Sequence, residues 1–256
     1  MRAIAILAAQ SFKELIRKKD FYVFLILLVA LLIFFFNKSF FGVEDASRYI
    51  KDAGYTLIIL FCLIITISFA AKQIPSEIES RTIYPLLAKP VSRTEFVVGK
   101  YAGSLLVGFF AFTVFFAVYV AAIQRIGEFA DPVLIIEAYI CSLYLLAFMA
   151  AISLFLSLFV TLSANITLTF LLYFAISAYN NQLRDMLTEV PEKASFLYNA
   201  IYFLMPHFEF YDLKTRLVHM WDPLPLWVFL SITAYTLIYV GILIYITCLM
   251  FRKRCL

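Results

Sequence analysis

The sequence predicts an all-α integral membrane protein with about six transmembrane helices, an N-terminal interfacial helix, a short cytoplasmic amphipathic helix and short extracytoplasmic helices before the last span. Three observations carry that expectation. Of 256 residues 64% are hydrophobic and 15% charged, with 28 Phe and 16 Tyr, against roughly 45–50% apolar and 25% charged in a soluble domain. The charges are gathered into clusters separated by long uncharged runs, and those runs use up the length a separate globular domain would need. Lys and Arg concentrate at both ends of the chain and in one internal loop.

Residues 1–19 come first. Ile4, Leu7, Ala8, Phe12, Leu15 and Ile16 recur at helical spacing, while Gln10, Lys13, Glu14, Arg17 and Lys18 occupy the other face. That pattern suits a helix lying along the inner leaflet, or a simple basic anchor. The first span is expected over about 20–41, between Asp20 and Lys38, with Phe40, Phe41 and the snorkelling stem of Lys38 extending it. It is longer than a signal-peptide core and is followed by no small-residue cleavage site, so it reads as a retained helix.

Charges delimit the remaining spans, because a charge at the bilayer centre costs a few kcal/mol or more. Asp52 and Lys72 bracket a second span at about 54–74, Lys100 and Arg125 a third at 99–124, and Asp222 and Arg252 the last at 224–251. From Glu137 to Arg184 there is no charge, in a run about twice the length of one crossing. Ser157, Thr161, Ser163 and Asn165 near its middle mark a turn between helices at 133–157 and 162–181. An even count puts both ends on one side, which carries the clusters around Lys13–Lys19, Lys72–Lys100 and Arg252–Arg254. Basic residues favour the cytoplasm, so both termini are expected there, in a cytoplasmic (inner) membrane. The net charge of +4 is then a topology signal and points to no nucleic acid.

Chemistry is hard to find in this chain. Cys62, Cys141, Cys248 and Cys255 are isolated thiols, and His207 and His219 share an external loop with Glu209 and Asp212 without metal-ligand spacing. No zinc-peptidase, phosphate-loop or serine-hydrolase motif occurs, so no catalytic residue, metal site or cofactor bound by this chain is expected. Glu137 reads as an interfacial carboxylate within reach of external water.

The segment 75–98, between the second and third spans, is the most patterned. Pro75 is expected to open a helical turn, with Glu77 and Glu79 favoured near its N-terminus by the helix dipole and Ile78, Ile83, Leu86 and Leu87 forming an apolar stripe. Lys89-Pro90 ends it. Ser92 and Glu95 have capping-box spacing for a second short helix leading through Phe96 into the third span. Glu77, Glu79 and Arg93 are expected to be solvated there, contributing about 0 to 1 kcal/mol to stability. Gly99 and Gly103 form a small-xxx-small pair at the entry to the third span, followed by Ser104 and Gly108, which implies close helix packing within one subunit or across a dimer. The loop 182–223 is too apolar for open water. Short helices broken at Pro191, Pro206 and Pro223 would fold back on the outer leaflet as a gate or a structural cap.

The runs Glu79-Ser-Arg-Thr-Ile, Leu86-Leu-Ala-Lys-Pro-Val-Ser-Arg93 and Gly99-Lys100 resemble the signature loop of type-2 ATP-binding-cassette (ABC) exporter permeases. Phe12-Lys-Glu-Leu-Ile-Arg17 is similar to that family's start, and Met205-Pro-His-Phe-Glu-Phe-Tyr-Asp212 to a Pro-centred motif before its last helix. Arg81 departs from the Gly common there. The resemblance implies a membrane subunit that pairs with a second permease subunit, as homodimer or heterodimer, and is driven by a separate cytoplasmic ATPase that holds ATP and Mg. It further implies a coupling role for Glu77, Glu79, Arg81, Thr82, Leu86, Leu87, Pro90 and Arg93, with Met205, Pro206 and Glu209 as candidates for the extracytoplasmic gate. The expected function is export of a substrate across the membrane or its extraction from membrane lipid. The alternative is a scaffold or assembly factor without transport.

Overall fold

The computed structural model describes residues 46–79, 92–126, 131–187 and 205–253, together with helical positions at 6, 8–10, 13–14, 22–23, 26–27 and 29–31. The expected first span and interfacial helix therefore lie largely outside the described residues. All the regular structure among the described residues is helical: α1 (Ala46–Glu79), α2 (Arg93–Ile126), α3 (Pro132–Leu156), α4 (Leu162–Leu187), a 3-10 turn (Phe208–Tyr211), α5 (Lys214–His219) and α6 (Leu226–Lys253). Four stretches, Lys51–Glu79, Arg93–Gln124, Pro132–Leu156 and Leu226–Lys253, are long and apolar enough to cross a bilayer, and α4 contributes a shorter apolar stretch, Leu162–Ala178. The chain is a multi-pass membrane protein whose regular structure is helical throughout the described residues.

α3 is the central helix. It is apolar on every side, and α1, α2, α4 and α6 all pack on it, the arrangement expected of a helix with no polar face to present to water. Its start is set by Asp131, whose carboxylate accepts the Val133 N–H at 2.9 Å, with Pro132 supplying the fixed φ of a first helical residue. Its end is a tight turn over 157–161, where Ser157 Oγ donates to the Leu154 carbonyl at 2.7 Å and Asn165 Nδ2 reaches back to the Ser153 carbonyl at 2.9 Å. Ser157 Oγ satisfies a carbonyl near the helix end, and Asn165 adds a second bond to the Ser153 carbonyl, which already accepts the Ser157 N–H at 3.0 Å; two of the polar residues in the middle of the uncharged run thus close the end of α3.

Lipid tails are as apolar as Leu, so helices in a bilayer are held by close packing and by hydrogen bonds between them, typically about 0.6–2 kcal/mol each. Here Tyr55 Oη meets Ser142 Oγ at 2.7 Å, Tyr101 Oη donates to the Ala147 carbonyl at 3.1 Å, Ser153 Oγ to the Ile67 carbonyl at 3.1 Å and Tyr119 Oη to the Lys51 carbonyl at 2.9 Å. Together they join α3 to α1 and α2, and α2 to α1. Gly99, Gly103 and Gly108 are all buried. A Cβ on Gly108 would stand 2.5 Å from Thr66 Oγ1, so this small residue lets α2 lie against α1 of the same chain.

Two expectations about the 75–98 segment change. Pro75 opens no separate helix, since α1 continues through it to Glu79. Proline inside a helix removes one backbone hydrogen bond and crowds the preceding turn. Here that turn is anchored by Ala70, Ala71, Gln73 and Ile74, all buried, and Ile78 packs on the same core beyond the proline. Likewise α2 runs unbroken from Arg93 into the third span. Its start has the reciprocal capping box: the Ser92 N–H donates to Glu95 Oε2 at 3.0 Å and the Glu95 N–H to Ser92 Oγ at 3.2 Å.

Candidate functional site

The residues that the sequence singled out between the second and third spans divide into two groups. Arg81, Thr82, Leu86, Leu87 and Pro90 lie outside the described residues. Glu77, Glu79 and Arg93 stand on the two helices that flank them. Glu79 is exposed at the last residue of α1. Glu77 and Arg93, expected to be solvated, are instead built into the bundle.

Glu77 Oε1 accepts from Lys100 Nζ at 2.6 Å, with side-chain exposures of 12% and 4%. The ammonium also stands 5.7 Å from the centre of the Phe96 ring, adding a cation–π attraction. Burial removes the water that would have solvated either charge, so each depends on the other. Arg93 Nη1 donates to the Arg252 carbonyl at 3.1 Å and the Phe251 carbonyl at 3.4 Å, at the end of α6. A cation at a helix C-terminus meets both unpaired carbonyls and the negative end of the dipole. Phe96 stacks on Phe251 with centroids 5.5 Å apart. Thus the end of α1, the start of α2 and the end of α6 are bound into one rim, where the chain leaves α1 and re-enters at α2. Sequence had marked Lys100 as a span boundary and as part of the loop that carries the family resemblance, but had given no sign of its pairing with Glu77, 23 residues away, or of Phe251, 158 residues from Arg93.

The other end of the bundle is organised by the Met205–Asp212 motif. Met205 and Pro206 are half-buried, and His207 is buried. The His207 N–H donates to Tyr235 Oη at 2.9 Å, and its ring stacks on Phe210 at 5.2 Å. Phe208 meets Phe148 edge-on at 5.4 Å and Tyr173 at 5.7 Å, while Tyr211 Oη pairs with Thr236 Oγ1 at 2.9 Å. The motif is thereby wedged against α3, α4 and α6. Burial lowers the His207 pKa below the ordinary 6.5, opposed by a hydrogen bond with the Met205 backbone and by the nearby Glu209 charge.

Glu137, expected to face external water, is buried, and its Oε2 accepts the Leu224 N–H at 2.9 Å. Leu224 lies between Pro223 and Pro225, in a stretch with no helical ladder to occupy its donor, so the carboxylate fixes the approach to α6.

Between α1, α4 and the 208–214 segment lies a cavity of about 240 Å³. Its walls are mostly aromatic and aliphatic, including Tyr55, Leu63, Phe170, Tyr173, Phe174 and Phe208. Glu209, Asp212 and Lys214 also line it. Lys214 Nζ is paired with Asp52 at 3.1 Å, and Asp212 Oδ1 accepts the Lys214 N–H at 3.0 Å. Glu209 keeps one carboxylate oxygen buried with no hydrogen-bond partner. Of the gate candidates, Glu209 lines the cavity, while Met205 packs on the core. The aromatic wall was missed by sequence reasoning, since Tyr55, Phe170 and Tyr173 are ordinary span residues until the helices are assembled. Among the described residues no three His, Cys, Asp or Glu side chains converge as metal ligands.

A family model described as ABC-2 family transporter protein matches residues 5–254 of the chain. No curated protein matches it.

Proposed function

The chain belongs to the ABC-2 transporter family, and from that premise we propose that it is the permease subunit of an ABC exporter, driven by ATP hydrolysis in a separate cytoplasmic ATPase. In this reading six helices span the cytoplasmic membrane with both termini inside. A second permease subunit, identical or homologous, completes the transport path. ATP and Mg are bound by the ATPase, and this chain contributes no catalytic group and no cofactor site.

The observation that carries the proposal is the tied rim where the chain leaves α1 and re-enters at α2. An ATPase docked on Leu86 and Leu87 would pull on both stems of the loop. The Glu77–Lys100 pair makes those stems move together, and Arg93 and Phe96 extend the motion to α6 through Phe251 and Arg252. Packed interfaces of this kind transmit rigid-body displacement and do not absorb it, which suits conversion of a cytoplasmic stroke into rearrangement at the outer end.

The test is copurification of the solubilised chain with its ATPase. Leu86→Asp together with Leu87→Asp should abolish ATPase capture while the protein still inserts in the membrane. ATPase binding retained by that double variant would refute the docking role.

A further inference from the structure

The outer cavity combines three features that the permease reading leaves unused. Its wall includes aromatic side chains from three elements: Tyr55 of α1, Phe170, Tyr173 and Phe174 of α4, and Phe208 of the 3-10 turn. Its charged members are two acids and one base, and the base, Lys214, is already engaged by Asp52 at 3.1 Å. Lys214 therefore cannot offset Glu209 as well, and Glu209 Oε1 is buried without a hydrogen-bond partner. His207, close to Glu209, is held toward its neutral form by burial and supplies little compensating charge.

Aromatic faces attract cations through the negative face of the ring, and the attraction grows when water is excluded. A carboxylate in the same wall adds a long-range attraction of the same sign. An anion would meet both the ring faces and Glu209 unfavourably. A neutral apolar ligand would use the aromatic wall but leave the carboxylate uncompensated. We propose that this cavity binds an organic cation, a substituted ammonium carried on an aromatic or alkyl body, with the cationic head toward Glu209 and the body against Tyr173 and Phe174. The inference rests on the permease reading only in that the bound cation is then the transported substrate class; the site itself stands on the cavity.

The full chain in lipid nanodiscs is titrated calorimetrically with benzyltrimethylammonium and, as the charge-reversed match, phenylmethanesulfonate, with empty nanodiscs as blank. The cation should bind saturably and the anion should not. Glu209→Gln, which preserves shape, should weaken cation binding by about tenfold. Phe174→Leu removes a ring that is already 55% exposed, and should weaken binding severalfold with the melting temperature unchanged. Equal binding of the anion, no saturable binding of the cation, or cation affinity unchanged in Glu209→Gln would overturn the proposal. Failure of ATPase capture with cation binding intact would remove the transporter reading and leave this site standing.

Discussion

Removing one partner of the Glu77–Lys100 pair should destabilise the protein far more than removing both. At 2.6 Å, and with an effective dielectric of about 20, the direct attraction is about 6 kcal/mol. Desolvating two charges costs several kcal/mol each, so the pair as a whole contributes little net stability. Glu77→Gln or Lys100→Met leaves the surviving charge buried at a site that is 4–12% exposed, and each should cost about 3–5 kcal/mol. The double variant should recover most of that loss, because neither charge then remains buried there. A double-mutant cycle by denaturant titration in detergent measures the coupling directly. ATPase activity of the reconstituted complex, read beside it, should fall in the double variant even where stability returns, since the stems of the loop are no longer joined. If the single variants lose less than about 1 kcal/mol, in the range of an exposed pair, the argument from burial is wrong.

Arg93→Ala frees the end of α6 and should cost about 1.5–3 kcal/mol for the lost charge-assisted hydrogen bonds; thermal melting together with stimulated ATPase activity separates this from a purely interfacial role. Gly108→Ala pushes a methyl group to 2.5 Å from Thr66 Oγ1 and should destabilise by about 1–3 kcal/mol, whereas Gly241→Ala, with nothing within 4 Å, should be neutral or stabilise by up to about 1 kcal/mol in the same melts. His207 has a lowered folded pKa, so as pH falls through the ordinary 6.5 the unfolded chain takes up a proton that the folded chain resists. Stability should therefore decline from pH 7.5 toward 5.5, by less in His207→Gln, and an identical pH profile in that variant would exclude the histidine as a cause. A cysteine at Ser92 should be shielded from a membrane-impermeant thiol reagent in intact cells and one at Ser47 labelled; the reverse pattern would invert the proposed topology.

Several of these perturbations depend on features that were visible in one dimension. The capping box at Ser92 and Glu95 was legible because both partners lie within one helical turn, where spacing alone fixes geometry. The turn at 157–161 was legible because uncapped carbonyls in lipid demand polar side chains nearby in sequence. The continuity of α1 through Pro75 was not, since local propensity favours a new start there and only burial of the preceding turn decides otherwise. Glu77 and Arg93 were misplaced in solvent for a related reason. Their partners, Lys100, Phe251 and Arg252, are brought in by helix packing, and charge pattern along a loop carries no record of that.

By itself the sequence determined that this chain lives in a membrane and is built of helices: a bilayer allows no exposed backbone donor and no unpaired charge near its centre, so hydropathy and charge spacing suffice. It also carried the family resemblance, through a loop whose residues are contiguous. Only the tertiary structure decided which helix lies at the centre, how the rim is tied and where the aromatic wall forms around Glu209. Those depend on contacts between residues far apart in the chain, such as Glu137 with Leu224 and Arg93 with Arg252. In a bundle whose helices are apolar on nearly every face, one-dimensional pattern does not say which face meets which, and close packing and a few buried hydrogen bonds make that choice.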